Sequence, residues 1–280
     1  MNDLLLGNAV DTLIREVATH TLMPYFRQLK SADIKDKGGP DGIFTSADEE
    51  TEAALTHGLA RLLPAADILG EEAVGRGEAR IEDIPVADLI WVIDPIDGTK
   101  RFVAGAEDFT ILVSLIAHGK TMAGWVYEPV RDILTKAVTG HGATCNGRKM
   151  QPPPHGRPLP TLTGKIPEWR RPANWALDRD RIEKKFDQGF QIDRGSGISY
   201  VQIANGTLDY VVSMGNKPWD VAAGALILNE LGGASCMADG KPYQPGYGME
   251  QTLLCLGDPA QFDALWQMLE LNASAAAAET

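Results

Sequence analysis

Over its first half this chain keeps two periodicities apart, and that separation limits what it can fold into. Over residues 4–29, Leu5, Val10, Leu13, Ile14, Val17, Leu22 and Phe26 recur mostly at three- and four-residue steps, the spacing of an amphipathic helix. Pro24 is placed to kink or interrupt it. A second helical pattern covers residues 49–63. Beyond it come short apolar runs at 68–69, 89–93, 109–116, 122–127 and 133–138, which predict strands. His118-Gly119-Lys120 separates two of these runs and predicts a hairpin. The first half therefore reads as an antiparallel sheet flanked by helices, an α+β arrangement.

Five prolines between residues 151 and 160 cannot donate to a ladder and mark a connection. They divide the chain into an α+β subdomain at 1–150 and a smaller α/β subdomain at 151–272. In the second, strands are expected at 162–166 and 208–213. Helices are expected near 179–186, at 199–204, at 220–231 before Gly232-Gly233, and at 260–271. The polar, glycine-rich stretch 33–42 reads as a loop, and the alanine-rich tail 273–280 is expected to fray.

Composition excludes several functions. Hydrophobic residues make up 44% and charged residues 23% of 280, values of an ordinary globular chain. With 26 Lys plus Arg against 38 Asp plus Glu, the net charge of −12 argues against a nucleic-acid or acidic-membrane partner. No run of about 18 apolar residues spans a bilayer. Cys145, Cys236 and Cys255 form no CxxC pair, and the N-terminus lacks a secretory pattern, so a reducing cytoplasmic setting is expected. An anionic substrate would need its charge reversed locally, and bound divalent cations do that.

The chemistry concentrates in Trp91-Val92-Ile93-Asp94-Pro95-Ile96-Asp97-Gly98-Thr99, an apolar strand running into two carboxylates. A tight turn at Pro95 would bring Asp94 and Asp97 toward one centre and expose the Ile96 carbonyl, an oxygen-only set suited to Mg²⁺. If a helix starts at Gly98 and Thr99, its first amides would hold a phosphate oxygen. Taken alone, the segment is equally a polar turn. Glu71, in Gly70-Glu71-Glu72, and Asp220, in Trp219-Asp220, supply further acids. By themselves these read as a surface acid and a helix N-cap. Together they make four carboxylates at element ends, which only cations can hold close.

In this order and spacing, GEE, WVIDPIDGT and WD followed by AAG and GG resemble the inositol monophosphatase superfamily, from about Thr45 to Gly233. The resemblance implies a layered αβαβα sandwich of the inositol monophosphatase and fructose-1,6-bisphosphatase type, a homodimer, Mg²⁺ dependence and lithium inhibition. It implies that Glu71, Asp94, the Ile96 carbonyl, Asp97 and Asp220 ligate metal, with Asp94 bridging two ions. Gly98 and Thr99 would hold phosphate through their backbone, and Thr99 with Glu71 would orient the attacking water. Thr45 and Asp48 match the TxxD element that supports this water. The pattern departs at Gly42, which stands where an acid is common, with Asp41 one place off.

The implied activity is hydrolysis of a small phosphorylated metabolite. Inositol monophosphate, histidinol phosphate, fructose 1,6-bisphosphate and 3′-phosphoadenosine 5′-phosphate all remain open as substrates. Rival readings are an inactive metal-binding partner protein and a nucleotide-binding regulatory module. Lys100-Arg101 is either a second phosphate contact or a pair of solvated cations. Ser213, before Met214-Gly215, stands where inositol-specific members commonly carry a glutamate, so it is a candidate substrate contact that disfavours inositol.

Overall fold

The computed structural model describes residues 3–36, 42–167, 180–193 and 195–271. Helices α1 (Asp3–Val17) and α2 (Ser46–Leu62) lie side by side. The regular path of α1 ends at Val17. A wider π turn (Ala18–Leu22) and a 3₁₀ turn (Met23–Tyr25) with Pro24 near its start follow. The helical pattern read to residue 29 therefore stops sooner, where proline has no amide to continue it.

Behind these helices runs a seven-stranded sheet of β3 (Asp67–Gly70), β4 (Ile90–Asp97), β5 (Thr110–Ala117), β6 (Lys120–Glu128), β7 (Ile133–Val138), β8 (Gly142–Cys145) and β9 (Arg148–Lys149), in that order. β3 and β4 are parallel and the rest antiparallel, so the sheet is mixed. The hairpin between β5 and β6 closes on His118 and Gly119, both at positive φ. β4 reads as one apolar run because both its faces are covered. Trp91 and Ile93 meet Val10, Ile14, Leu55 and Leu59 of α1 and α2, whereas Ile90 and Val92 face the opposite layer.

That opposite layer is α5 (Ser196–Ala204) and α6 (Pro218–Glu230), packed against β5 and β6. Beyond it lies a five-stranded sheet in the order β11 (Gln191–Asp193), β10 (Gly164–Pro167), β12 (Tyr210–Ser213), β14 (Leu253–Leu256), β13 (Ala234–Met237). Its first three strands are parallel. The last layer is α7 (Phe262–Met268), whose Leu265 and Trp266 cover Ile166, Val212 and Leu254. The succession is helix, sheet, helix, sheet, helix: a layered αβαβα sandwich.

Several expectations shift. The stretch read as a loop at 33–42 instead begins with β1 (Ile34–Asp36), which pairs antiparallel with β2 (Ile43–Thr45). Asp41 and the alanine-rich tail lie outside the described residues. The helix expected from 260 is a 3₁₀ turn (Pro259–Gln261) followed by the seven residues of α7. Strands β8, β9, β11, β13 and β14 carry no apolar alternation long enough to be read locally.

Candidate active site

The two carboxylates of the β4 segment are brought together by a bulge rather than by a turn after the strand. β4 stays extended through Asp97, pairing Asp94 with Leu112 and Asp97 with Thr110. Three steps along β4 thus match two along β5, and one extra residue is inserted. In a regular strand, residues three apart point to opposite faces. The inserted residue restores them to one face. Pro95 needs no ladder partner, and Ile96 N donates back to Asp94 Oδ1 at 3.0 Å.

Asp94, Asp97 and Asp220 each offer a carboxylate oxygen, and the three oxygens lie within 4.8 Å of one another. Asp94 and Asp97 are buried and Asp220 half-buried. Asp220 belongs to the first turn of α6 and is not its N-cap. Lys217 takes the cap and Pro218 starts the helix, its fixed φ suiting that position. Loss of hydration pushes the carboxyls of both Asp94 and Asp220 well above the usual carboxylate range, and the charge of Glu71 followed by that of Asp97 pushes them further. Lys217 and a hydrogen bond from Asp94 offset part of this at Asp220.

Glu71 opens α3 (Glu71–Gly75) directly after β3, whose last residue, Gly70, pairs with Ile93 one position before Asp94. Asp97 is held from two sides: Gly197 N, in the first turn of α5, donates to Oδ2 at 2.7 Å, and Thr110 Oγ1 donates to the same oxygen at 3.2 Å. Gly98 adopts φ 88°, a left-handed conformation that suits glycine, and caps α4 (Thr99–Val103), so a helix does begin there.

Thr45 caps α2 and donates through both N and Oγ1 to Asp48 Oδ2, at 2.7 and 2.6 Å. The other oxygen of Asp48 accepts from Thr99 Oγ1 at 3.2 Å. Thr99 Oγ1 also lies 3.0 Å from the Ile96 carbonyl, and its single hydrogen serves one acceptor at a time. Thr45, Asp48, Thr99, Ile96, Asp94, Asp97 and Asp220 therefore form one connected group. Ser213 closes β12 opposite Leu253, half-buried, at the start of the loop that leads into α6. Lys100 is exposed, and Arg101 is paired with Asp108, its Nε 3.0 Å from Oδ1.

Four contributors escaped the sequence reading: Glu52, Thr110, Gly197 and Asn216. Asn216 is buried in the loop before α6 and donates through Nδ2 to the Gln251 carbonyl at 2.8 Å. Glu52 left a trace, because positions 48, 52, 55 and 59 share the buried stripe of α2 and an acid inside an apolar stripe is unusual. The other three act through tertiary neighbours. Burial raises the Glu52 carboxyl, partly countered by two backbone amides and Arg76.

The donor set fits a hard divalent cation. Its oxygens are carboxylate or carbonyl, and no sulfur or imidazole intrudes among the named groups. Fold and site define a layered α+β protein built around an acidic centre that could hold a cation. The matching family model is that of the inositol monophosphatase family, over residues 8–274. The chain is 30% identical over 221 residues to Inositol-1-monophosphatase of Bacillus subtilis, covering 76% of this chain and 79% of that one. It is 29% identical over 269 residues to Nus factor SuhB of Xylella fastidiosa, covering 93% and 94%. An IMPase of Thermotoga maritima superposes with a TM-score of 0.80 at 24% identity, over 96% of this chain and 97% of that one, a likeness of fold. The chain belongs to the inositol monophosphatase family, and is a phosphoric monoester hydrolase of that metal-dependent group.

Proposed function

We propose that this protein hydrolyses a small phosphate monoester with Mg²⁺ as its cofactor. The observation that carries the reading is the set of three carboxylates within 4.8 Å, joined to the Thr99–Asp48–Thr45 chain. Glu71, Asp94, the Ile96 carbonyl, Asp97 and Asp220 would hold the metal. When bound, Mg²⁺ supplies positive charge to the phosphoryl oxygens and acidifies a water. Gly98 and Thr99 offer first-turn amides to the phosphate. Thr99 Oγ1, donating to Asp48, is left as an acceptor for a proton of the attacking water, and Glu71 offers a second acceptor. Asp48 keeps that hydroxyl oriented because its far oxygen is already held by Thr45. The protein's share is positioning and charge, as phosphoryl transfer demands.

Substrate identity within the class is open to a direct test. Purified protein is assayed for free phosphate with inositol 1-phosphate, histidinol phosphate, fructose 1,6-bisphosphate and 3′-phosphoadenosine 5′-phosphate, with Mg²⁺ and after chelation. Release from none of them would remove the reading. The relatives named Nus factor SuhB raise a regulatory alternative, against which stand the net charge of −12 and the intact acidic centre.

Three further properties are proposed with it. Cytoplasmic residence is supported by three cysteines that form no disulfide among the described residues. Among those residues no helix is long and apolar enough to cross a membrane. A homodimer would elute at twice the 30.2 kDa chain mass. A division near 151–160 is supported by the seven-stranded sheet ending at Lys149 and the five-stranded one beginning at Gly164, although α6 contacts both sheets.

A further inference from the structure

Glu52 lies on the buried face of α2, one turn beyond Asp48, and is only 4% exposed. Both of its oxygens are engaged by main chain: Oε2 accepts from Glu72 N at 2.7 Å and Oε1 from Ala73 N at 2.9 Å. The carboxylate therefore grips the first turn of α3, the turn that carries Glu71. Arg76 Nη2 stands 3.6 Å from Oε1 and steadies the charge. Gly70 completes the fit, since a Cβ there would lie 2.3 Å from both the carboxyl carbon and Oε2 of Glu52. The space a side chain at position 70 would need is filled by Glu52.

We propose that Glu52 is a positioning residue for the reaction, holding the α3 turn so that the Glu71 carboxylate faces Asp94 and Asp220. The inference rests on the metal-dependent phosphatase reading. Among the described residues β3 is an edge strand, paired only with β4, and α3 has five residues, so no further ladder there and little helix fixes the turn between them. Two hydrogen bonds to an ionised acceptor supply that restraint. An apolar side chain of the same size would fill the cavity but leave both amides buried and unpaired. The same helix holds the other side of the centre, because Asp48 fixes Thr45 and Thr99. One face of α2 thus sets both the proton-accepting groups and the Glu71 side of the acidic cluster in a single frame.

Two variants and one combination test this, with Mn²⁺ as the metal probe, its binding read by electron paramagnetic resonance and turnover by phosphate release. Glu52→Gln keeps the shape but sets an NH₂ against one of the two amides. Gly70→Ala leaves Glu52 in the chain and displaces its carboxylate. Each is expected to weaken Mn²⁺ binding about tenfold or more, as loss of an outer-shell partner does, with kcat falling in step. In a Glu71→Gln background, Glu52→Gln should add little further loss if it acts through Glu71. Wild-type Mn²⁺ affinity in both single variants overturns the proposal, as does a loss that simply multiplies in the double variant. Loss of cooperative melting in both assigns Glu52 to stability alone and also overturns it. A wild-type protein that binds Mn²⁺ but releases no phosphate removes the phosphatase reading, and the Mn²⁺ isotherms still decide the role of Glu52. A wild-type protein that binds no Mn²⁺ overturns both.

Discussion

Asp94 is buried, faces Glu71, Asp97 and Asp220, and keeps its proton well above the usual carboxylate range for lack of water. Asp94→Asn removes one negative charge at constant shape, and activity should fall at least about a hundredfold if that charge helps stabilise the transition state. Wild-type turnover in this variant would make the β4 bulge purely structural. The same residue sets a pH dependence in metal-free protein. Its folded pKa is raised, so between the ordinary carboxylate value and the raised one the folded state binds more protons than the unfolded. That contribution to stability is complete at low pH and disappears as pH rises through the folded pKa. Metal-free Asp94→Asn should melt above wild type at about pH 8, the gap closing toward about pH 4. A gap that ignores pH contradicts this account. Ser213 is the residue for specificity: Ser213→Glu should raise kcat/KM for inositol 1-phosphate, a charge-assisted bond contributing about 1.5–3 kcal/mol. Preference of the wild type for inositol 1-phosphate over every other candidate would refute it.

Among the elements, α6 matters most, because its first turn carries Asp220 and its body lies flat on the large sheet. Close approach depends on Gly124 of β6, where a Cβ would stand 2.7 Å from the Ala223 Cα and 3.0 Å from its carbonyl oxygen. Backbone atoms of a packed helix cannot rotate away as a side-chain tip could. Gly124→Ala should cost about 1–3 kcal/mol by overpacking, seen as a lower melting temperature. It should also weaken the apparent Mg²⁺ affinity, since α6 must lift and take Asp220 with it. Melting and metal titration equal to wild type would show that the helix can move without cost. The bulge of β4 and the short helix α4 act alike, converting rigid strand geometry into a fixed arrangement of oxygens and amides.

For the whole molecule, the formal charge of −12 is a sum over the chain, and a divalent cation at the centre would offset part of it. A ligand that binds only the folded state stabilises it by mass action, about 2.7 kcal/mol at a hundred times its dissociation constant. Mg²⁺ should therefore raise the melting temperature, more so at neutral pH than in acid, where protons compete for the same oxygens. Exhaustive chelation should reverse the shift and abolish phosphate release. Full turnover after chelation would show that the acidic centre works without a cation.

Much of the large sheet is legible in the chain because β4 and β5 are covered on both faces, so burial writes itself locally as unbroken apolar runs. The carboxylates of residues 94 and 97 are legible for the same local reason, lying at the end of such a run. The small strands β13 and β14 are too short to show a period, and their places in the order β11-β10-β12-β14-β13 follow from which edges remain to be paired. The supports of the centre are less visible still. Glu52 meets Glu72 across 20 positions, Thr110 meets Asp97 across 13, and Gly197 meets Asp97 across 100. The chain by itself determined which acids stand at the ends of which strands and helices, since both follow from local chemistry and local burial. Only the tertiary structure decided which amides and hydroxyls fix each carboxylate, because those partners become neighbours when the layers pack.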